Sequence, residues 1–185
     1  SAQLGAYERL IHRRAIEVAA AFNSGGYMRR DRVGTASWHL QLRGATRWVV
    51  CPNHDGHAPA SCATETSTSD GSWTPIDAFD PKYDTCPAFK LVSCLEAKIE
   101  EGDAIHVPHD WWAQAQAATP AAVALSSAIL TESNAPIVAS RLRESCDRRL
   151  THPWDPEWGV EDVGALCAAM EPCLDQWSRR NFRRG

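Results

Sequence analysis

Apolar positions recur along this chain with two different periods. Over residues 5–22, Tyr7, Leu10, Ile11, Val18, Ala19 and Phe22 fall at helical spacing, while Arg9, Arg13 and Glu17 take the other side. The spacing predicts a helix, stopped by Asn23-Ser24-Gly25-Gly26. Further on the period becomes two: Trp38, Leu40 and Leu42 alternate with His39, Gln41 and Arg43, and after Gly44 comes Arg47-Trp48-Val49-Val50-Cys51, closed by Pro52. This predicts a β pair around a glycine turn. Residues 53–87 are rich in Ser, Thr, Asp, Gly and Pro and read as a long irregular insertion. Strand signals return at 89–92, 104–108 and 123–130, and helical ones over about 135–150 and 161–182, the latter interrupted near Pro172.

The pattern therefore predicts a mainly β fold with helices, a small antiparallel barrel or jelly roll. Its expected parts are an N-terminal helix in 1–23, a barrel in 24–132 carrying the 53–87 insertion, and a C-terminal extension of two helices in 133–185. At 185 residues the chain has room for one core and hardly for two. No apolar run approaches the ~20 residues of a membrane-spanning helix.

Charge changes the picture little. A net −4 argues against a general nucleic-acid binder. The basic end, with Arg179, Arg180, Arg183 and Arg184, reads as a solvated helix terminus and is the one candidate RNA contact. Seven cysteines at 51, 62, 86, 94, 146, 167 and 173 form no C-x-x-C pair, so a cysteine-rich zinc site is disfavoured and reduced, buried thiols are expected. That expectation places the chain inside the cell, with an organelle such as the mitochondrion open if Ser1 follows processing. There is no G-x-S-x-G, no phosphate-loop glycine motif, no H-E-x-x-H and no dinucleotide fingerprint.

Two segments carry more specific information: Gly34-Thr35-Ala36-Ser37-Trp38-His39-Leu40-Gln41-Leu42-Arg43-Gly44-Ala45-Thr46-Arg47-Trp48, followed by Val49-Val50-Cys51-Pro52, and Glu101-Gly102-Asp103-Ala104-Ile105-His106-Val107-Pro108-His109-Asp110-Trp111-Trp112. Their glycine, tryptophan and proline spacings resemble those of the cupin-type Jumonji-C 2-oxoglutarate oxygenases, over roughly 24–145. The resemblance implies a double-stranded β-helix barrel and, in active members, Fe(II) held by an H-x-D pair and a distal histidine, with a lysine anchoring 2-oxoglutarate.

In the register of the motif the carboxylate is Asp31, but the histidine two residues earlier is Arg29 and the distal histidine is Ala113. The anchoring lysine becomes Thr46. Arg cannot ligate a metal and Ala has no donor. Arg29 is expected to pair with Asp31 in place of the ion. His39, Thr46 and Ser126 then line a vestigial co-substrate pocket. His106 and His109 are read as surface or packing residues, and His54-Asp55-Gly56-His57, which has the look of a metal clip, is disfavoured as one because it lies in an irregular loop without further ligands. Trp154 and Trp158 are candidate partner contacts, or clamps for the C-terminal helix.

The implied function is a non-catalytic module with no metal and no cofactor, serving as a structural or protein-binding subunit of a larger assembly. The competing reading is an active Fe(II)/2-oxoglutarate protein hydroxylase with a metal site built from Asp31, His39 and a water or loop ligand. A third is an empty pocket that takes a small acid through Arg29, Thr46 and Ser126.

Overall fold

The computed structural model describes residues 14–31, 34–53, 66–68, 71–74 and 76–148, together with Cys167, Ala168, Glu171, Pro172 and Asp175. In chain order the elements are β1 (Arg14–Ala19), β2 (Arg29–Arg30), β3 (Ala36–Arg43), β4 (Thr46–Cys51), β5 (Thr66–Thr68), β6 (Gly71–Trp73), β7 (Leu95–Ile99), β8 (Ala104–Val107), β9 (Trp112–Ala117), β10 (Ala122–Ile129) and α1 (Ala135–Arg148). A four-stranded sheet runs β1-β10-β3-β8 and a six-stranded sheet runs β5-β6-β2-β9-β4-β7. All pairings are antiparallel. The architecture is mainly β, as expected of a cupin or jelly roll.

The predicted β pair around Gly44 does not form. β3 pairs with β10 and β8, whereas β4 pairs with β9 and β7, so the turn carries the chain from one sheet to the other. Gly44 suits this corner because its φ is +72° and a Cβ there would stand 2.5 Å from Thr119 Oγ1. That hydroxyl accepts the Ala45 N–H at 2.9 Å.

The six-stranded sheet is covered on both faces, which explains why Trp48-Val49-Val50-Cys51 is buried without alternation. Trp48 and Val50 pack inward with Ile99, Val107 and Ala113. Val49 and Cys51 pack outward with Met28, Trp112, the insertion residues Ile76 and Cys86, and Phe89 of the turn that follows the insertion. Gln114 fastens the insertion to β9, its Nε2 donating to Asp77 Oδ1 at 3.0 Å and its Oε1 accepting from Ala78 N–H at 2.6 Å. The insertion is thus a lid on the sheet. It is also less irregular than its composition predicts: β5 and β6 form a hairpin, and Trp73 and Ser72 pair with Arg29 and Arg30.

Three further expectations are corrected. The helix over 5–22 is, in its described part, the strand β1. Its residues pair one for one with β10 from Arg14↔Ser127 to Ala19↔Ala122, and sheet hydrogen bonding overrides the helical spacing. Residues 5–13 lie outside the described residues. The strand at 89–92 is a 3-10 turn over Pro87–Leu91, begun by Pro87 and held by burial of Phe89; the strand starts later, at Leu95. The described cysteines are not reduced. Cys51–Cys94 and Cys146–Cys167 are disulfides with Cα separations of 4.2 and 5.9 Å, and Cys86 is disulfide-bonded as well. Sequence spacing gave no sign of these pairs because their partners meet only through the fold.

The first C-terminal helix is present as α1. Arg143 reaches Glu171 at 3.1 Å and Asp175 at 2.6 Å, and the Cys146–Cys167 bond ties α1 to the following segment. The second predicted helix falls largely outside the described residues. So do Trp154, Trp158, Arg179, Arg180, Arg183, Arg184, His54 and His57.

Cys51–Cys94 closes a loop of 43 residues across the insertion. Replacing both with Ala is expected to lower the unfolding free energy by about 2–4 kcal/mol, measured in urea without reductant. A replacement as stable as the parent would show that the lid is held without this bond.

Candidate functional site

The two sheets face each other across a cavity of about 500 Å³. Its wall on the four-stranded side is polar. β3 turns His39 and Gln41 inward, 5% and 1% exposed, and leaves Trp38, Leu40 and Leu42 on the outer face. β1 does the same with Glu17, while Ile16 and Val18 are exposed outside. Arg29, Asp31, His39, Thr46, Ala113 and Ser126, all nominated from sequence, line this one cavity.

β2 and β9 are neighbours, and Arg29 is the direct partner of Ala113. The iron of the Jumonji-C oxygenases needs three donors on one face. At the positions that the resemblance assigns, a guanidinium stands opposite a methyl group. Among the described residues no three of His, Cys, Asp and Glu come together as a metal site. The residues present do not fit the ion.

Arg29 takes a different partner from the one expected. Its guanidinium lies 3.9 Å from Glu17 Oε1, and Asp31 instead accepts the Thr35 N–H at 3.0 Å. Glu17 was missed because the helical reading put it on a solvated face. The alternation Ala15-Ile16-Glu17-Val18-Ala19 was the available signal.

Glu17 is the centre of the polar wall. His39 Nδ1 lies 3.2 Å from its Oε1. The other imidazole nitrogen meets Ser37 Oγ at 3.2 Å, and the ring leans on Trp48 with centroids 4.5 Å apart. Burial pushes the Glu17 carboxyl up. His39, the Ser126 hydroxyl and the Arg29 guanidinium outweigh it and hold the group at about 2 against an ordinary 4.5.

Thr46 does not replace the lysine as an anchor with a free donor. Its hydroxyl donates to Gln41 Oε1 at 2.7 Å, and Gln41 Nε2 donates to the carbonyls of Arg43 and Val123. This network knits β3, β4 and β10 at the end of the cavity. His106 is exposed on β8, and His109 lies beside Asp110, whose carboxylate pairs with Arg141 of α1.

The model of the cupin-like domain family matches residues 28–127, more than half of the chain. The protein belongs to the cupin-like domain family. Comparison with curated proteins gives no match. Among solved structures the chain is similar to the Drosophila melanogaster CENP-C cupin domain, at 8% identity and a TM-score of 0.40, over 63% of this chain and 59% of that one. It is similar to Drosophila melanogaster CENP-C bound to CAL1 with the same identity and score, over 63% of this chain and 64% of that one. The chain spans less than two thirds of the length of these solved chains. The cupin-like match begins at Met28, so β1 and its Glu17 lie outside the family segment.

Two outcomes follow from the charge arrangement. Because the folded Glu17 carboxyl titrates below its unfolded value, its contribution is present above about pH 4.5 and is lost as pH falls from there towards about 2. The stability difference between the parent and Glu17→Gln, followed by thermal melting, should narrow through that window. Screening at a side chain 36% exposed keeps the effect below the full linkage value. Arg29, half exposed and 3.9 Å from its partner, should be nearly dispensable. Arg29→Ala is expected to change stability by less than about 1 kcal/mol, where a buried pair with Asp31 would have cost several times more.

Proposed function

We propose that this cupin-like chain is a non-catalytic module derived from the Jumonji-C type and serving as a protein-binding or structural subunit. The observation that carries the reading is the Arg29↔Ala113 register. It sets a permanent cation and a methyl group where an oxygenase needs two imidazoles. The outer face of the four-stranded sheet supports the binding role: Ile16 and Val18 are 69% exposed and Leu42 45%, on the same side as Trp38 and Leu40. Contiguous apolar surface of this kind marks interaction sites. The disulfides favour an oxidising compartment over the reducing interior that the cysteine pattern had suggested.

The experiment is reconstitution with Fe(II) under anaerobic conditions, then assay with 2-oxoglutarate and oxygen. No stoichiometric iron and no succinate are expected. Iron-dependent succinate release that disappears in Asp31→Ala would establish the competing oxygenase reading. For the binding role, a protein that co-purifies from the native source should be lost from the Ile16→Asp/Val18→Asp variant while the variant's circular dichroism stays native. Undiminished co-purification would remove the outer face from the account.

A further inference from the structure

Two polar groups lining the cavity are buried and have no hydrogen-bond partner among the described residues: the Thr35 hydroxyl and the Trp48 indole N–H. Their residues are 3% and 4% exposed. Folded proteins rarely leave such groups unpaired, and two on one cavity mark a place where something bound supplies the partners. The indole nitrogen only donates, and the hydroxyl both donates and accepts. The occupant must therefore offer acceptors and at least one group able to do both.

Charge narrows the class. Two carboxylates, Glu17 and Asp31, line the cavity with Arg29, while the Arg30 guanidinium lies over the Trp112 ring on the outer side of the sheet. Glu17 already has His39, Ser126 and Arg29 around it, and Asp31 accepts the Thr35 N–H. An organic anion gains no net attraction from such a wall, and the carboxylates that would draw an ammonium ion are already engaged. The remaining lining includes the methyl groups of Ala15, Ala19, Ala113 and Ala124, a smooth apolar surface beside the polar groups. A molecule with hydroxyls around its rim and C–H bonds on its face matches both parts. The volume of about 500 Å³ lies within the ordinary range for small-ligand pockets.

We infer that the cavity binds a neutral polyhydroxylated molecule of monosaccharide size, with ring hydroxyls meeting Thr35 and Trp48. The binding is separate from the outer-face contact proposed above and stands whether or not that face has a partner. It stands against the small-acid reading, because Thr46 is committed to Gln41 and the wall carries no net positive charge, and the succinate titration decides between the two.

The test is NMR titration of the full chain, labelled with nitrogen-15, with D-glucose, D-galactose, D-mannose and myo-inositol, and separately with succinate and ethanolamine. At least one neutral compound should shift the Trp48 indole resonance saturably, and the two ions should bind more weakly or not at all. Thr35→Val and Trp48→Phe should each weaken that binding by about tenfold. Failure of every neutral compound to move the resonance overturns the inference. So does tighter binding of succinate or ethanolamine, or affinity unchanged in both folded variants. Should either variant fail to fold, the parent titration decides alone.

Discussion

The pairing of β1 with β10 along its whole length is the constraint on which the rest of the site depends. It adds a strand to the four-stranded sheet, and its register turns Glu17 towards the cavity. A carboxylate brought under cover requires compensation, which His39, Ser126 and Arg29 provide from three other strands. The polar interior follows from that requirement. With His39 and Gln41 also turned inward, the apolar side chains of β1 and β3 are left on the outside, reversing the usual distribution for a sheet facing a core.

The six-stranded sheet solves a different problem. β4 and β9 are buried on both faces, so their outer side needs its own cover, which Ile76 and Cys86 of the insertion and Phe89 just after it supply. Gln114 and the Cys51–Cys94 bond hold that cover to the sheet. The stabilising apolar contacts thus gather around one sheet. The cavity between the sheets is left free to carry charge and unpaired donors.

That division bears on function. An iron centre requires donors converging from β2 and β9, and in this chain those strands meet through Arg29 and Ala113.

Some of this was legible in the residues alone. The alternation from Trp38 to Arg43, the apolar run after Arg47 and the strand patterns at 104–108 and 123–130 read correctly, because period-two burial is a local property of a strand. The motif spacing around Gly34, Trp38, Gly44 and Pro108 nominated six residues that do share one cavity, since register along a strand is conserved by the pleat. Partners in space were not legible. Whether Ala15-Ile16-Glu17-Val18-Ala19 becomes a helix or a strand is decided by β10, more than a hundred residues away, which supplies the backbone hydrogen bonds. The same holds for Arg29, which meets Glu17 of the opposite sheet across the cavity, and for Cys51, whose disulfide partner is 43 residues away. Local periodicity determined which side chains alternate; only the pairing of distant strands decided which face, which charge and which sulfur each of them meets.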